Sequence, residues 1–173
     1  KDAMQTANAR SPVCLYDMEE VMAESIFSVK PENLFNREEP LDIGFVPIYI
    51  LTNQEKLNGA SVSVQEGVLE KVAELLGTNF YVLPSSIHEL LILPDNGSMQ
   101  LSELEAMVRE VNATQVAPED RLSDKVQYYD RETKLLQRGQ EKSVLGRLSD
   151  KKAQLQQADH TAPKQPHRSE VSL

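Results

Sequence analysis

The sequence predicts an α+β domain in which an antiparallel or mixed sheet of about five strands carries helices on one face. Three observations support this prediction. Short apolar runs bounded by turn residues are typical of strands, two other segments have apolar residues at helical spacing, and the links between them are short. Residues 45–137 therefore give the order β-β-α-β-β-α-β, with a helix before this core domain and a disordered tail after it.

The first half of the core domain begins with an apolar run at residues 46–52, which predicts a strand. The Asn58-Gly59 pair is a turn signal, so residues 60–64 are predicted as a second, paired strand. Residues 67–76 have apolar side chains on one helical face. The glycine that follows them stands where a left-handed residue commonly ends a helix.

The densest apolar block of the chain lies at residues 79–94 and predicts the two central strands. We assign these strands to residues 80–83 and 87–93. The segment Pro84-Ser85-Ser86 joins them, because proline and serine favour tight turns.

A second helix of the core domain is predicted from Ser102 and Glu105, which fit a capping box. Residues 125–129 predict the last strand, and Leu135 and Leu136 extend it into a short terminal hairpin. The short links favour antiparallel neighbours, with both helices on the same side of the sheet.

Two segments flank the core domain. Residues 1–44 are predicted as the helical remnant of a longer N-terminal region with an acidic connector, because residues 16–27 have apolar side chains near helical spacing. Residues 138–173 are basic and rich in Gln, Lys and Pro, which predicts a mostly disordered tail. Within this tail, residues 143–155 have the apolar spacing of a short amphipathic helix.

Composition and charge argue against several classes of protein. The net charge is −9, and the core domain is acidic, which argues against nucleic-acid binding there but leaves it open for the basic tail. No apolar run is long enough to span a membrane, and the first residues do not have the pattern of a secretion signal. A single cysteine, Cys14, excludes an internal disulfide framework. We therefore expect a cytoplasmic protein.

Several segments within residues 46–130 are characteristic of one bacterial family. They are Tyr49-Ile-Leu-Thr-Asn53, Asn58-Gly-Ala60, Gly67-Val-Leu-Glu-Lys71, Phe80-Tyr-Val-Leu-Pro-Ser-Ser-Ile-His-Glu89, Met107-Val-Arg-Glu-Val-Asn-Ala-Thr-Gln115, Leu122-Ser-Asp124 and Tyr128-Tyr129. With these segments the chain resembles the C-terminal part of DUF5688, a domain of unknown function from gut Firmicutes. The end of the tail is similar to tails on accessory proteins of mobile elements. The family has no established activity, so the resemblance implies no catalytic residue.

Ser85, Ser86 and His88 are the candidate catalytic residues, because a hydroxyl and an imidazole can form a nucleophile and its base. Two observations weigh against them. His88 and Glu89 are adjacent, so on a strand their side chains point to opposite faces. The segment also lacks the Gly-x-Ser-x-Gly elbow that exposes a catalytic serine. A turn whose hydroxyls satisfy backbone groups is the favoured interpretation.

Candidate binding residues lie beside the apolar elements. They are Asn53, Asn112, Thr114, Asp124, Tyr128 and Tyr129. The four polar ones could line a pocket, although helix and strand capping is the favoured interpretation. One tyrosine is expected in the core and the other on the surface as an anchor for a partner. No histidine or cysteine pair has metal-ligand spacing, so no metal and no cofactor is predicted.

These observations favour a non-catalytic module that binds another protein, acting as an accessory protein, for instance in a mobile element. The alternative is a small hydrolase or transferase that uses Ser85 or Ser86 with His88. A third interpretation is an association of nucleic acid with the basic tail, which would be sensitive to salt.

Overall fold

The computed structural model describes residues 11–43, 47–84 and 86–139, together with Lys152. The chain divides into two units, Lys1–Gln140 and Glu141–Leu173, and every element below lies in the first. The strands are β1 Val13–Asp17, β2 Tyr49–Asn53, β3 Phe80–Leu83, β4 Leu90–Pro94, β5 Gln127–Asp130 and β6 Leu135–Arg138. The α-helices are α1 Met18–Phe27, α2 Val68–Leu76 and α3 Leu101–Thr114, and 3-10 turns occur at Leu34–Asn36, Gly59–Val64 and Pro118–Asp120.

These strands form one antiparallel sheet in the order β1-β2-β4-β3-β5-β6. The predicted α+β class with an antiparallel sheet is confirmed. Six strands are present among the described residues, rather than about five, partly because β1 was predicted as part of a helical segment. β1 pairs along β2, with Leu15 opposite Leu51. The segment before residue 45 thus contributes an edge strand to the sheet.

The helices cover both faces of the sheet, and the prediction of helices on one face is wrong. One buried cluster joins α2 to the strand residues Leu51, Phe80 and Ile92. The other cluster joins α3 to the strand residues Ile50 and Leu91, which alternate with them. Because successive strand residues point to opposite faces, the fully apolar run of β4 needs a helix on each side. We call these two sides the α2 face and the α3 face.

Helix α1 lies on the α3 face. Met18 and Val21 from its first turns are partly buried against the cluster that contains Leu104 and Val108 of α3. The side chain of Asp17 caps the helix by accepting hydrogen bonds from the N–H groups of the next turn, and so separates β1 from α1. The predicted helix at residues 16–27 is therefore present, but it begins only at Met18.

The predicted strand at residues 60–64 is wrong, because Gly59–Val64 forms a 3-10 turn. A Cβ atom at residue 59 would overlap the Thr52 hydroxyl and the His88 carbonyl oxygen, so the chain passes too close to both for any other residue. From there the turn buries Val62 against the α2 face. Contact with β2, rather than pairing with another strand, therefore determines the conformation of residues 59–64.

The remaining boundaries agree in outline with the sequence. Helix α2 ends at a left-handed Gly77 as predicted, β3 spans the predicted residues, and β5 and β6 form the expected terminal hairpin. The capping box of α3 uses Gln100 and Glu103 instead of Ser102 and Glu105. Strand β4 begins at Leu90, three residues later than predicted.

The predicted tail lies outside the described residues from position 140 onward, apart from Lys152, and so does most of its predicted helix at residues 143–155. Among the helices that the structure describes, none has the length and apolar character needed to cross a membrane.

Candidate binding cleft

A cleft of about 310 Å³ opens on the α3 face, between the first residue of α1 and the C-terminal end of α3. Its apolar wall is formed by Met18, Leu91, Val111 and Val116. Its polar wall is formed by Ser86, His88, Glu89, Gln115 and Asp120. A mixed lining and a volume in this range are typical of sites that hold a small molecule or a side chain of a partner.

Backbone hydrogen bonds hold the polar wall in place. The Ile87 N–H donates to the Asp120 carbonyl at 2.9 Å, and the Ala60 N–H donates to the Ile87 carbonyl at 3.0 Å. The Thr52 hydroxyl donates to the His88 carbonyl at 2.8 Å. Because these partners lie in two 3-10 turns and in β2, the segment before β4 is a shaped loop rather than the predicted start of a strand.

Both nitrogen atoms of the His88 ring are engaged. Nδ1 accepts a hydrogen bond from the Asn58 N–H at 3.1 Å, so the neutral ring carries its proton on Nε2. Nε2 lies 3.3 Å from Oδ1 of Asp120. This arrangement leaves neither nitrogen available to take a proton from a serine hydroxyl.

Ser86 is buried, and its hydroxyl oxygen accepts a hydrogen bond from the backbone N–H of His88 at 3.0 Å. Within the described part of the chain, this hydroxyl makes no hydrogen bond with the His88 ring. The pair of a nucleophile and its base is thus not formed between Ser86 and His88. Ser85 lies outside the described residues.

The polar candidates outside the loop have local partners. The Asn53 amide bonds to both the N–H and the carbonyl of Leu57, and the Thr114 hydroxyl donates to the carbonyl one turn before it. The Nδ2 atom of Asn112 donates to the Ser123 carbonyl at 3.2 Å and to Asp124 Oδ1 at 2.5 Å. All four candidates lie outside the lining of the cleft, and their bonds are those of caps and loop closures.

The two candidate tyrosines point to opposite faces of β5. Tyr129 is buried and stacks on Phe80 with ring centroids 5.0 Å apart. Tyr128 is half-buried; its hydroxyl donates to Asp95 Oδ2 at 2.7 Å and accepts from Asn79 Nδ2 at 3.1 Å. Burial and the hydrogen bond to Asp95 raise the pKa of Tyr128 well above its ordinary value.

The sequence did not reveal that α1 exposes large apolar side chains. Met22, Ile26 and Phe27 are 64%, 75% and 70% exposed, and Val29 just after the helix is exposed as well. Met18 of the same helix reaches into the cleft. Helical spacing identified this apolar pattern, but spacing alone does not separate side chains that pack inward from those that face solvent.

The sequence was compared with known protein families. A family model described as a family of unknown function, DUF5688, matches residues 1–131. The chain belongs to the DUF5688 family. The match extends beyond the segments at residues 46–130 and includes β1, which is a strand of the sheet, and α1, which packs on the α3 face.

In this DUF5688 protein, the most specific segment of the resemblance begins at Leu83, the last residue of β3, and its residues Ser86, His88 and Glu89 belong to the polar wall of the cleft. No curated protein and no solved structure is significantly similar to the chain. Among the described residues, no group of His, Cys, Asp or Glu side chains has the arrangement of a metal site. The geometry of the cleft and of α1 is therefore the basis for a functional assignment.

Proposed function

We propose that this DUF5688 protein is a non-catalytic module that binds another protein through α1 and the adjacent cleft. The observation that supports this proposal is the exposure of Met22, Ile26 and Phe27 on one short helix. A contiguous apolar surface is unfavourable in water and is typical of a protein-binding site. Each Å² of apolar surface removed from water contributes about 25 cal/mol, part of which offsets the entropy lost on association.

The cleft adds a concave end to this surface. Met18 is shared between α1 and the cleft, so the apolar side chains of the helix continue into the apolar wall. An anchor side chain of a partner that enters such a pocket is a common source of binding energy in protein interfaces.

The arrangement of His88 supports a role without catalysis. Its ring contacts both Asn58 and Asp120. These contacts fix the shape of the cleft wall, which is a structural role. A hydrolase or transferase that uses Ser85 or Ser86 with His88 is the second candidate, and the position of the cleft beside Ser86 favours it.

We place the module in the bacterial cytoplasm, as an accessory protein. The single cysteine supports a reducing compartment, since Cys14 is free and buried. The likeness of the tail to tails on proteins of mobile elements supports an accessory role in such an element. The basic tail provides a second contact with the partner or with nucleic acid.

The test is an affinity enrichment from the natural host with the wild-type protein, the double variant I26E/F27E and the control V64E. Val64 is also exposed, but it belongs to the turn on the α2 face. We expect one partner protein to be recovered with the wild-type protein and with V64E, and to be lost with I26E/F27E. Equal recovery with all three would overturn the assignment of α1.

A variant without residues 140–173, enriched at low and at high salt, tests the contribution of the tail. Loss of nucleic acid but not of the partner protein would confine nucleic-acid binding to the tail.

The second candidate is tested with a fluorophosphonate probe that labels activated serines. We expect no labelling of the wild-type protein beyond that of S86A. Labelling that S86A or S85A abolishes would show an activated nucleophile and replace the proposal of a non-catalytic module.

A further inference from the structure

We infer that α1 and the cleft form one continuous groove that binds a cationic amphipathic helix of the partner protein, with a Lys or Arg side chain of that helix in the cleft. The inference rests on the proposed function and specifies the chemistry of the partner. Three observations support it. The apolar stripe of α1 continues into the cleft, carboxylates lie at the cleft end of the stripe, and the neighbouring edge of the sheet is already hydrogen-bonded.

The apolar stripe of α1 leads into the cleft. Met18, Met22 and Ile26 are four residues apart, so they follow one another along one side of the helix. Met18 lines the cleft, whereas the other two are exposed. The stripe is about 12 Å long at 1.5 Å per residue, which matches two turns of a helix laid along it. An apolar stripe beside a pocket is the usual geometry for helix-in-groove recognition.

The charge beside the cleft end of the stripe is mainly negative. Helix α1 has no basic residue, and at about 3.6 residues per turn Glu19 lies next to the stripe, whereas Glu20 and Glu24 lie on the opposite side of the helix. The cleft adds Asp120, whose Oδ1 lies 3.3 Å from His88 Nε2, and Glu89, whose carboxylate has no hydrogen-bond or ion-pair partner among the described residues. The carboxylates of Glu19, Glu89 and Asp120 at the cleft end of the stripe complement a helix that has Leu-like residues on one side and a Lys or Arg beside them.

One basic group lies near these carboxylates. Arg121 follows Asp120, and its Nε atom donates to the carbonyl of the cleft residue Val116 at 3.3 Å, so one positive charge stands against the carboxylates of Glu19, Glu89 and Asp120. The N-terminus of α1 is already capped by Asp17. The last turn of α3, which meets the cleft at Gln115, has no basic residue against the partial negative charge of its carbonyl groups.

The edge of the sheet next to α1 is not open to an extended peptide. The Asn33 amide accepts from the Leu15 N–H at 3.0 Å and donates to the Val13 carbonyl at 3.2 Å. These are outward-facing groups of β1, and an added strand would need them. Because they are occupied, a helix on α1 is favoured over a strand added to β1.

The test uses a synthetic amphipathic helix of Leu and Lys and its counterpart in which Glu replaces Lys. Binding to the full chain is measured by calorimetry, with NMR of ¹³C-labelled methionine methyl groups to locate it. We expect the Leu/Lys peptide to bind and to shift the Met18 and Met22 signals, and the Leu/Glu peptide not to bind.

Two variants with equal change in net charge separate the groove from general attraction. E89Q alters the cleft, and E66Q alters an exposed carboxylate beside α2, on the opposite face. We expect E89Q to weaken binding about threefold to fivefold and E66Q to leave it unchanged.

Equal weakening by E89Q and E66Q, unchanged Met18 and Met22 signals, or binding of the Leu/Glu peptide would each overturn the inference. If the Leu/Lys peptide fails to bind while I26E/F27E still loses the natural partner, this inference falls and the proposed function stands. If I26E/F27E retains the natural partner, the proposed function itself falls.

Discussion

His88 Nε2 lies 3.3 Å from Asp120 Oδ1, and Nδ1 of the same ring accepts from the Asn58 N–H. One imidazole thereby connects the loop before β4 with the turn before Gly59–Val64 and with the turn Pro118–Asp120. These segments are far apart in sequence, and together they shape the polar wall of the cleft.

The substitution H88A should lower the free energy of unfolding by about 0.5–1.5 kcal/mol, because the Asn58 N–H loses its acceptor and Asp120 loses its neighbour. Urea unfolding measures the change. The control is E119Q, which removes an exposed charge from the same turn as Asp120 and should have no effect. Equal stability of H88A and the wild-type protein would contradict a structural role for the ring.

Asn33 is predicted to protect the edge of the sheet. N33A removes the bonds to Leu15 and Val13 and the bond to the Phe35 N–H, at a cost of about 1–3 kcal/mol. Hydrogen exchange of the Leu15 amide should become faster. N36A makes the same chemical change at an exposed position and should leave that exchange unchanged. Unaltered protection in N33A would show that other contacts cover the edge.

Gly59 should not tolerate a side chain. In G59A the new Cβ atom would overlap the Thr52 hydroxyl and the His88 carbonyl, and relief of this overlap should cost about 1–3 kcal/mol. Thermal or urea unfolding measures the loss. The control V64A, in the same 3-10 turn, alters an exposed side chain and should be neutral. A G59A variant as stable as the wild-type protein would mean that the turn can move away from β2.

The stability should fall in alkaline solution. Burial raises the pKa of Tyr81 and of Tyr16 to about 12, and it raises the pKa of Tyr128 further. A tyrosine in the unfolded chain ionises near pH 10. Since the folded state favours the protonated phenols, their contribution is complete below about pH 10 and is lost as the pH rises toward the folded pKa values.

Phenolate absorbance should therefore show tyrosines that ionise above about pH 11 while the protein remains folded. In Y128F the loss of stability between about pH 9 and 11 should be smaller than in the wild-type protein. Normal titration of every tyrosine would contradict the burial of these hydroxyl groups.

Much of the fold could be predicted because short-range patterns specify it. The apolar periodicity of α2, the glycine after it and the aromatic run of β3 are local signals, and each element is present. Strand β1 was missed because Val13–Asp17 leads directly into α1 and shares its apolar character. Only pairing with β2 distinguishes the strand from the helix that follows.

The candidate site was predicted in part. The loop that contains Ser86 and His88 does line a cleft. Its neighbours Met18, Val111 and Asp120 come from remote elements, and no spacing in the sequence links them to it. The hydrogen bonds of Asn33 to the edge strand β1 could not be predicted from the sequence either, because a single asparagine before a short turn is common.

The sequence by itself determined the class of elements, the acidic character of the core domain and the family, since these follow from local periodicity, composition and motif. The tertiary structure alone decided that helices cover both faces, that Gly59–Val64 is a turn, and that the His88 ring is held between Asn58 and Asp120. It also decided that α1 exposes its apolar side chains. The reason is physical: burial and hydrogen-bond partners are set by segments distant in sequence, whereas periodicity reports only on neighbours.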